Sequence, residues 1–414
     1  MKQFVSRWMT QQLRAALRAM PVVVVTGARQ TGKTTLVRKL EPARRFMSLD
    51  DLEILDQAKR SPDGLLDATP VTLDEVQRAP ELLLAIKRAV DRDRKPGAFL
   101  LTGSANLLLA GHSAESLAGR AVYLELPPFC PLEWEESESR LQFLGQLFAE
   151  DLLDWPQGGG DWVGWLLRGG FPTVLQAEDD ETRNIWFRGY VQTFVERDLR
   201  SLSAIGNLPD FQRLMALVAG QAARTINQAN LARDAALSHA TAHRYLNLLE
   251  TATLLHRVPA YALHVGGAVA KAPRWFWTDV GLAAWLAGIR SRSAVASRRD
   301  VGHWLEQTLF QSFRLWQALD PDRRKLHHWR NPSGHEVDMV LEQEQRLVAV
   351  EVKASTHVAL DDARGIRSFR AALGKRGASV RGIVLHAGEE GRSLGEDIHA
   401  LPFGWLVPRS ASGK

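Results

Sequence analysis

Pro21-Val-Val-Val-Val-Thr-Gly27-Ala-Arg-Gln-Thr-Gly32-Lys33-Thr34-Thr35 decides the reading of this chain. Four consecutive valines suit a strand covered on both faces, as in a parallel α/β sheet. Gly27 to Thr34 then match G-x-x-x-x-G-K-[ST] in full. The glycines let backbone N–H groups of Ala28, Arg29, Gln30 and Thr31 turn inward around phosphate oxygens. An apolar-periodic helix follows (Leu36, Val37, Leu40), and its first-turn amides, at Thr34 and Thr35, add a positive dipole end. Lys33 can reach the β- and γ-phosphates, and the Thr34 hydroxyl can join a Mg²⁺ shell. The stretch therefore predicts a nucleotide-binding protein.

The rest of the first 135 residues alternates apolar runs with amphipathic segments, the mark of a βαβ domain. Strands are expected at 21–26, 45–49, 69–73, 98–102 and 121–126, and helices over 33–40, 51–58, 80–91 and about 113–119. Val71-Thr-Leu-Asp74-Glu75 is a short apolar strand ending in two acids. After a complete phosphate loop, Asp74 is expected to hold Mg²⁺ and Glu75 to polarise the attacking water as a general base. Phe99-Leu-Leu-Thr102-Gly-Ser104-Ala-Asn106 is a second core strand ending in small polar residues, read either as sensors of the γ-phosphate or as a turn capping the next helix. Arg120 follows Leu117-Ala-Gly119 and is open to two readings, an arginine finger for a neighbouring subunit or a surface arginine.

Residues 20–135 resemble the ATPase domain of a prokaryotic AAA-type family whose members carry a C-terminal domain of uncharacterised function. The matching pieces are Thr-Gly-Ala-Arg-Gln-Thr-Gly-Lys-Thr-Thr, Leu-Asp-Glu-Val-Gln, Leu-Thr-Gly-Ser and Ser-Leu-Ala-Gly-Arg. The resemblance implies a five-stranded parallel sheet, a sensor role for Ser104, a finger role for Arg120, and self-association through the ATPase domain.

At 414 residues the chain exceeds a single hydrophobic core. The expected division is 1–135 for the ATPase domain, 136–205 for a helical lid or linker, 206–290 for a winged-helix-like module and 291–414 for a further α/β domain. Loop signal peaks at Asp154-Trp-Pro-Gln-Gly-Gly-Gly-Asp161, flanked by helical patterns at Trp162–Leu167 and about Thr182–Leu202. With one cysteine, Cys130, there is no internal disulfide framework and no cysteine-based zinc cluster, which suits a reducing cytoplasm. No apolar run approaches the ~20 residues that span a bilayer, so no membrane partner is expected. The N-terminus (Phe4, Val5, Trp8, Met9, Leu13, Leu17) has helical spacing with interspersed arginines, and is read as an amphipathic helix packed on the ATPase rather than a transit peptide.

Net charge is only +5, so a nucleic-acid role needs localised charge. Residues 207–274 carry seven basic against three acidic residues. Within them a short helix (Gln228 to Ala235), Ser238 as N-cap, a second helix with Tyr245, Leu248 and Leu249 inward, and a candidate wing over Leu254–Trp277 spell a helix-turn-helix pattern. As a DNA reader it would turn His239, Thr241, His243 and Arg244 to the major groove and Lys271 and Arg274 to phosphates; alternatively it packs between domains.

Further on, His335-Glu336-Val337-Asp338-Met-Val-Leu precedes Leu347-Val-Ala-Val-Glu351-Val352-Lys353, with a third strand at 381–386. Period 2 puts Glu351 and Lys353 on one strand face, and hairpin pairing brings Asp338 beside Glu351. Two carboxylates can hold a divalent metal, Glu306 can complete the set, and the lysine can activate water; the other reading is a solvated hairpin face. Residues 300–390 resemble the PD-(D/E)xK nuclease fold, although Val337 stands where that pattern has proline. Such domains also occur as binding modules without catalysis. The expectation is an ATPase that couples nucleotide state to a winged-helix and nuclease-like C-terminal half acting on DNA or nucleoprotein. The alternative is an ATP-dependent switch or scaffold that binds a protein.

Overall fold

The computed structural model describes residues 4–40, 43–103, 117–136, 138–149, 158–193, 207–263 and 272–407. Strands β1 (Val22–Thr26), β2 (Arg45–Ser48), β3 (Val71–Asp74), β4 (Phe99–Thr102) and β5 (Ala121–Glu125) form one parallel sheet in the order β2-β3-β4-β1-β5. The valine run of β1 is buried along its whole length because it is an interior strand, paired with β4 and β5, and covered on both faces. Helices α1 (Met9–Ala19), α2 (Lys33–Arg38), α3 (Leu52–Arg60) and α4 (Leu82–Arg92) cover the sheet. Met9 and Leu13 of α1 pack with Val23 and Val25, whereas α4 packs on the other face with Val22 and Val24. Helix α2 ends two residues earlier than expected, and of the expected helix at 113–119 only the final turn lies within the described residues.

The middle of the chain is mostly helical, with α5 (Glu138–Gln146), α6 (Trp162–Arg168), α7 (Asp180–Thr193), α8 (Leu208–Ala219), α9 (Gln228–Asp234) and α10 (His239–Thr251). Ser238 caps α10 by accepting from Thr241 N, and Tyr245, Leu248 and Leu249 are buried. Short strands β6 (Arg224–Thr225), β7 (Leu255–Val258) and β8 (Arg274–Trp277) form an antiparallel ribbon in the order β6-β8-β7.

The last third begins with α11 (Val301–Ala318), whose full circumference is largely buried. It lies against a six-stranded mixed sheet built from β9 (Arg324–Arg330), β10 (Glu336–Gln343), β11 (Arg346–Lys353), β12 (Arg381–His386), β13 (Arg392–Gly395) and β14 (Ile398–Pro402). Helix α12 (Arg364–Leu373) covers the opposite face through Ile366 and Phe369. Three of these strands were expected; β9, β13 and β14 were not. Helix α11 also reaches beyond this sheet. Gln307 exchanges two hydrogen bonds with the backbone of Trp277, Gln311 accepts from the Trp165 indole at 2.7 Å, and Arg314 pairs with Glu125 at 2.6 Å.

Candidate functional site

The phosphate loop leaves the carboxyl end of β1, an interior strand between β4 and β5 of the parallel sheet, where loop amides converge. Gly27 has φ +137°, and a Cβ there would lie 2.4 Å from the Leu126 carbonyl oxygen, so only glycine fits between β1 and the segment after β5. Gly32, at φ +95°, turns the chain into α2. Lys33 is 6% exposed, and its ammonium donates to the carbonyls of Gly27 (3.1 Å) and Ala28 (2.7 Å), so it spans the mouth of its own loop. Thr34 donates to both Asp74 carboxylate oxygens at 3.1 and 3.0 Å, and Thr102 also donates to Asp74. A hydroxyl and a carboxylate converging on one point form the hard-oxygen donor set that suits Mg²⁺.

Glu75 follows Asp74 with φ +60°, in the left-handed region, and Gln77 donates to its carboxylate. A non-glycine residue there costs about 1–3 kcal/mol, and such strain gathers where a side chain must be aimed. Ser104 and Asn106 lie outside the described residues.

Arg7 was not anticipated. Only 3% exposed, its guanidinium donates to Thr31 O (2.8 Å) and Pro127 O (2.6 Å), pairs with the fully buried Glu133 (3.0 Å), and stacks 4.1 Å over Phe129. It thereby ties the phosphate loop to the chain leaving β5. Beside it lies a cavity of about 130 Å³ walled by Phe4, Val5, Leu36, Phe129, Trp134 and Pro172 and open toward Thr31 and Gly32. Apolar walls next to a phosphate loop suit a flat heteroaromatic base. The sequence signal was an arginine inside an apolar stretch, at a spacing shared by surface arginines.

Arg120 precedes β5 and so sits at the amino edge of the sheet, roughly 16 Å from the phosphate-loop edge at ~3.3 Å per residue. It forms a two-pronged pair with Asp91 at 2.6 and 3.0 Å, which lowers the Asp91 carboxyl below its ordinary range. From there it cannot serve the nucleotide of its own chain.

At the carboxyl edge, Glu125 lies in register with Thr26. Its carboxylate holds Arg314 of α11 at 2.6 Å and stands 3.7 Å from His256 of β7. Burial, with the charge of Arg314, pushes His256 down to about 4, so the ring is neutral at pH 7. The phosphate-loop edge of the sheet is thus joined directly to both later parts of the chain.

The C-terminal acids lie close enough to act on one another, but each is held by its own protein donors. Glu351 pairs with Lys353 (2.9 Å) and accepts from Ile366 N (2.9 Å) at the start of α12. Burial raises the Glu351 carboxyl, whereas for Lys353 burial is outweighed by Glu351, which raises the ammonium. A register shift between Val337 and Val340 interrupts β10. There one Asp338 oxygen accepts from Val352 N (2.8 Å) and the other faces Arg274 (3.4 Å). Glu306 pairs with Arg274 and stands 3.3 Å from His303. Among the described residues no three His, Cys, Asp or Glu side chains are grouped to hold a metal ion. The expected triad of Glu306, Asp338 and Glu351 is therefore not assembled, because each carboxylate already has a protein donor.

Arg274 corrects a second expectation. Placed for phosphate contact in the sequence reading, it is 5% exposed and turned inward. Lys271 lies outside the described residues. His239, His243 and Arg244 are exposed and Thr241 is half-buried, with His243 held at 3.0 Å by both Gln228 and Asn247. No helix among the described residues is long and apolar enough to cross a membrane.

Comparison with known proteins matches three family models, an AAA domain over residues 19–134 and two domains of unknown function, DUF8612 over 160–293 and DUF4143 over 301–406. Uncharacterized proteins of Mycobacterium tuberculosis and Mycobacterium bovis are each 30% identical over 395 residues, spanning 94% of this chain and 82% of theirs. A Walker-type ATPase of Pyrococcus abyssi superposes with a TM-score of 0.42 at 17% identity, over 68% of this chain and 96% of that one.

Proposed function

This chain belongs to the family of those mycobacterial proteins, with an AAA-type ATPase domain at its head, and we propose that it binds ATP with Mg²⁺, hydrolyses it, and passes its nucleotide state to the C-terminal half. The observation that carries this reading is the assembled pair of Thr34 and Asp74 beside Lys33 at the loop mouth.

In this reading the base enters the cavity beside Arg7, and the amides of Gly27 to Thr35 take the phosphates. Lys33 exchanges its two loop carbonyls for β- and γ-phosphate oxygens. Thr34 and Asp74 would hold Mg²⁺, which when bound would neutralise charge developing on the phosphates. Glu75 accepts the proton of the attacking water. Ser104 senses the γ-phosphate, and Arg120 reaches the nucleotide of a neighbouring copy, in keeping with its place at the far edge of its own sheet. Glu125, with Arg314 and His256, is the route by which that edge moves the rest of the chain.

We read residues 206–290 as a winged-helix-like module and 291–414 as related to the PD-(D/E)xK fold. DNA or nucleoprotein is the client favoured by the exposed His239, His243 and Arg244 on one helix. The buried partners of Glu306, Asp338 and Glu351 favour the rival, a protein-binding switch whose nuclease-like part does not cleave. DNA binding by the full chain that weakens steeply with salt would select the first; its absence selects the second.

The ATP assignment is tested by two variants. Lys33→Ala should lose tight nucleotide binding. Glu75→Gln should keep binding but slow hydrolysis about 10²–10⁴-fold, because an amide cannot take the proton. Hydrolysis by Glu75→Gln at the wild-type rate would remove Glu75 from the mechanism.

A further inference from the structure

A nuclease-like hairpin implies a divalent cation between its acids, and the residues here do not fit one. Both Asp338 oxygens are engaged, Glu351 is turned to Lys353 and the start of α12, and Glu306 faces His303 and Arg274. Yet a positive charge does sit between Asp338 and Glu306. It is the Arg274 guanidinium, carried in by β8 from the middle of the chain.

We propose that Arg274 is the resident cation of this acidic site, an internal substitute for a metal ion that also bolts the middle module to the C-terminal sheet. Its donors are arranged for that task. Nε donates to Ala223 O at 2.9 Å, one terminal nitrogen lies 3.3 Å from Asp338 O and 3.4 Å from its carboxylate, and the other pairs with Glu306. Buried carboxylates need a compensating cation, and a planar guanidinium gives fixed, directed donors where a metal ion would ask for free oxygen lone pairs. Arg274 and a divalent ion are therefore competitors for one place. With β8 seated, the site takes no metal and cuts no phosphodiester through one. The inference stands apart from the ATP assignment, since no nucleotide-site residue takes part in it.

The test uses the full chain in an Asp74→Asn background, so that the nucleotide site contributes no metal binding. Mn²⁺ is titrated by calorimetry, and melting temperatures are read with and without it. With Arg274 present, no Mn²⁺ binding and no shift are expected. Arg274→Ala should melt lower, bind one Mn²⁺ per chain and recover part of the lost melting temperature, and adding Asp338→Asn should abolish that recovery. Mn²⁺ binding with Arg274 in place that disappears on Asp338→Asn would overturn the proposal. So would a folded Arg274→Ala protein indifferent to Mn²⁺.

Should Arg274→Ala fail to fold, a cycle decides the matter instead. Arg274→Met should lower the melting temperature sharply when both acids are present, and by less than half as much in the Glu306→Gln/Asp338→Asn background. Equal losses in the two backgrounds would show that Arg274 is not held by those acids, and the proposal would fall.

Discussion

Replacing Arg7 by alanine should be among the most damaging single changes in the ATPase domain, though the residue lies outside the phosphate loop. The substitution strips the fully buried Glu133 of its cation and, among the described residues, leaves the Trp8 amide, at 2.8 Å, donating to it. Breaking one side of a buried pair costs about 3–5 kcal/mol. For a cooperative unit near the size of this domain, that lowers the melting temperature by roughly 10–20 °C. The same change frees the Thr31 carbonyl, held at 2.8 Å, one residue before the Gly32 turn. Losing one charge-assisted hydrogen bond that fixes the loop is worth about 1.5–3 kcal/mol, so ATP affinity should fall about ten- to a hundredfold. Arg7→Lys should separate the two effects. Its ammonium still offsets Glu133, but one point charge cannot reproduce a fork that serves both Thr31 and Pro127. Stability should thus recover more than nucleotide affinity. Calorimetric scans with ATP titration decide it. An Arg7→Ala protein that melts within about 3 °C of wild type and binds ATP equally well would refute the clamp.

Two further outcomes follow from charged contacts elsewhere. Arg120→Ala should leave the melting temperature almost unchanged, since its pair with Asp91 is solvent-exposed and screened. Mixed with Glu75→Gln subunits it should regain some ATPase activity through shared interfaces, whereas a fully active strict monomer would exclude the finger in trans. His256, held neutral by burial and by Arg314 down to about 4, must gain a proton on unfolding below 6.5. Its contribution is present above pH 6.5 and is lost as pH falls toward 4. His256→Gln should flatten that part of the urea-midpoint profile, and an unchanged acid limb would show that another group controls it.

The parallel sheet and the phosphate loop were legible because their signals are local. A valine run, a glycine spacing and a strand ending in acids each lie within a few residues. The β9 strand was missed for the opposite reason. Arg-Lys-Leu-His-His-Trp-Arg carries cations and histidines that mask its alternation, and only tertiary contact buries Leu326, His328 and Trp329. Arg7 was missed and Arg274 misplaced because their partners sit far along the chain, at positions 31, 127 and 133 for one and 223, 306 and 338 for the other. One clue was present. Arg274 heads the run Trp-Phe-Trp, and all four residues are buried, so a cation at the start of so apolar a strand calls for an internal anion. Charge counting placed it at the surface instead.

Helix α11 bears on how such a chain can be inherited. By sequence it opens the last of the three matched domains, at the boundary where recombination would most simply cut. In space it belongs to all of them, through Arg314 to the ATPase sheet, Gln311 to Trp165, Gln307 to Trp277, and its remaining circumference to the C-terminal sheet. A gene fusion that exchanged the segment after residue 300 for an unrelated one would leave three sets of sockets empty. Lineages that diversify this architecture are therefore expected to vary loops and exposed faces while passing the three segments on together. A search for their partners gains more from whole chains than from excised pieces.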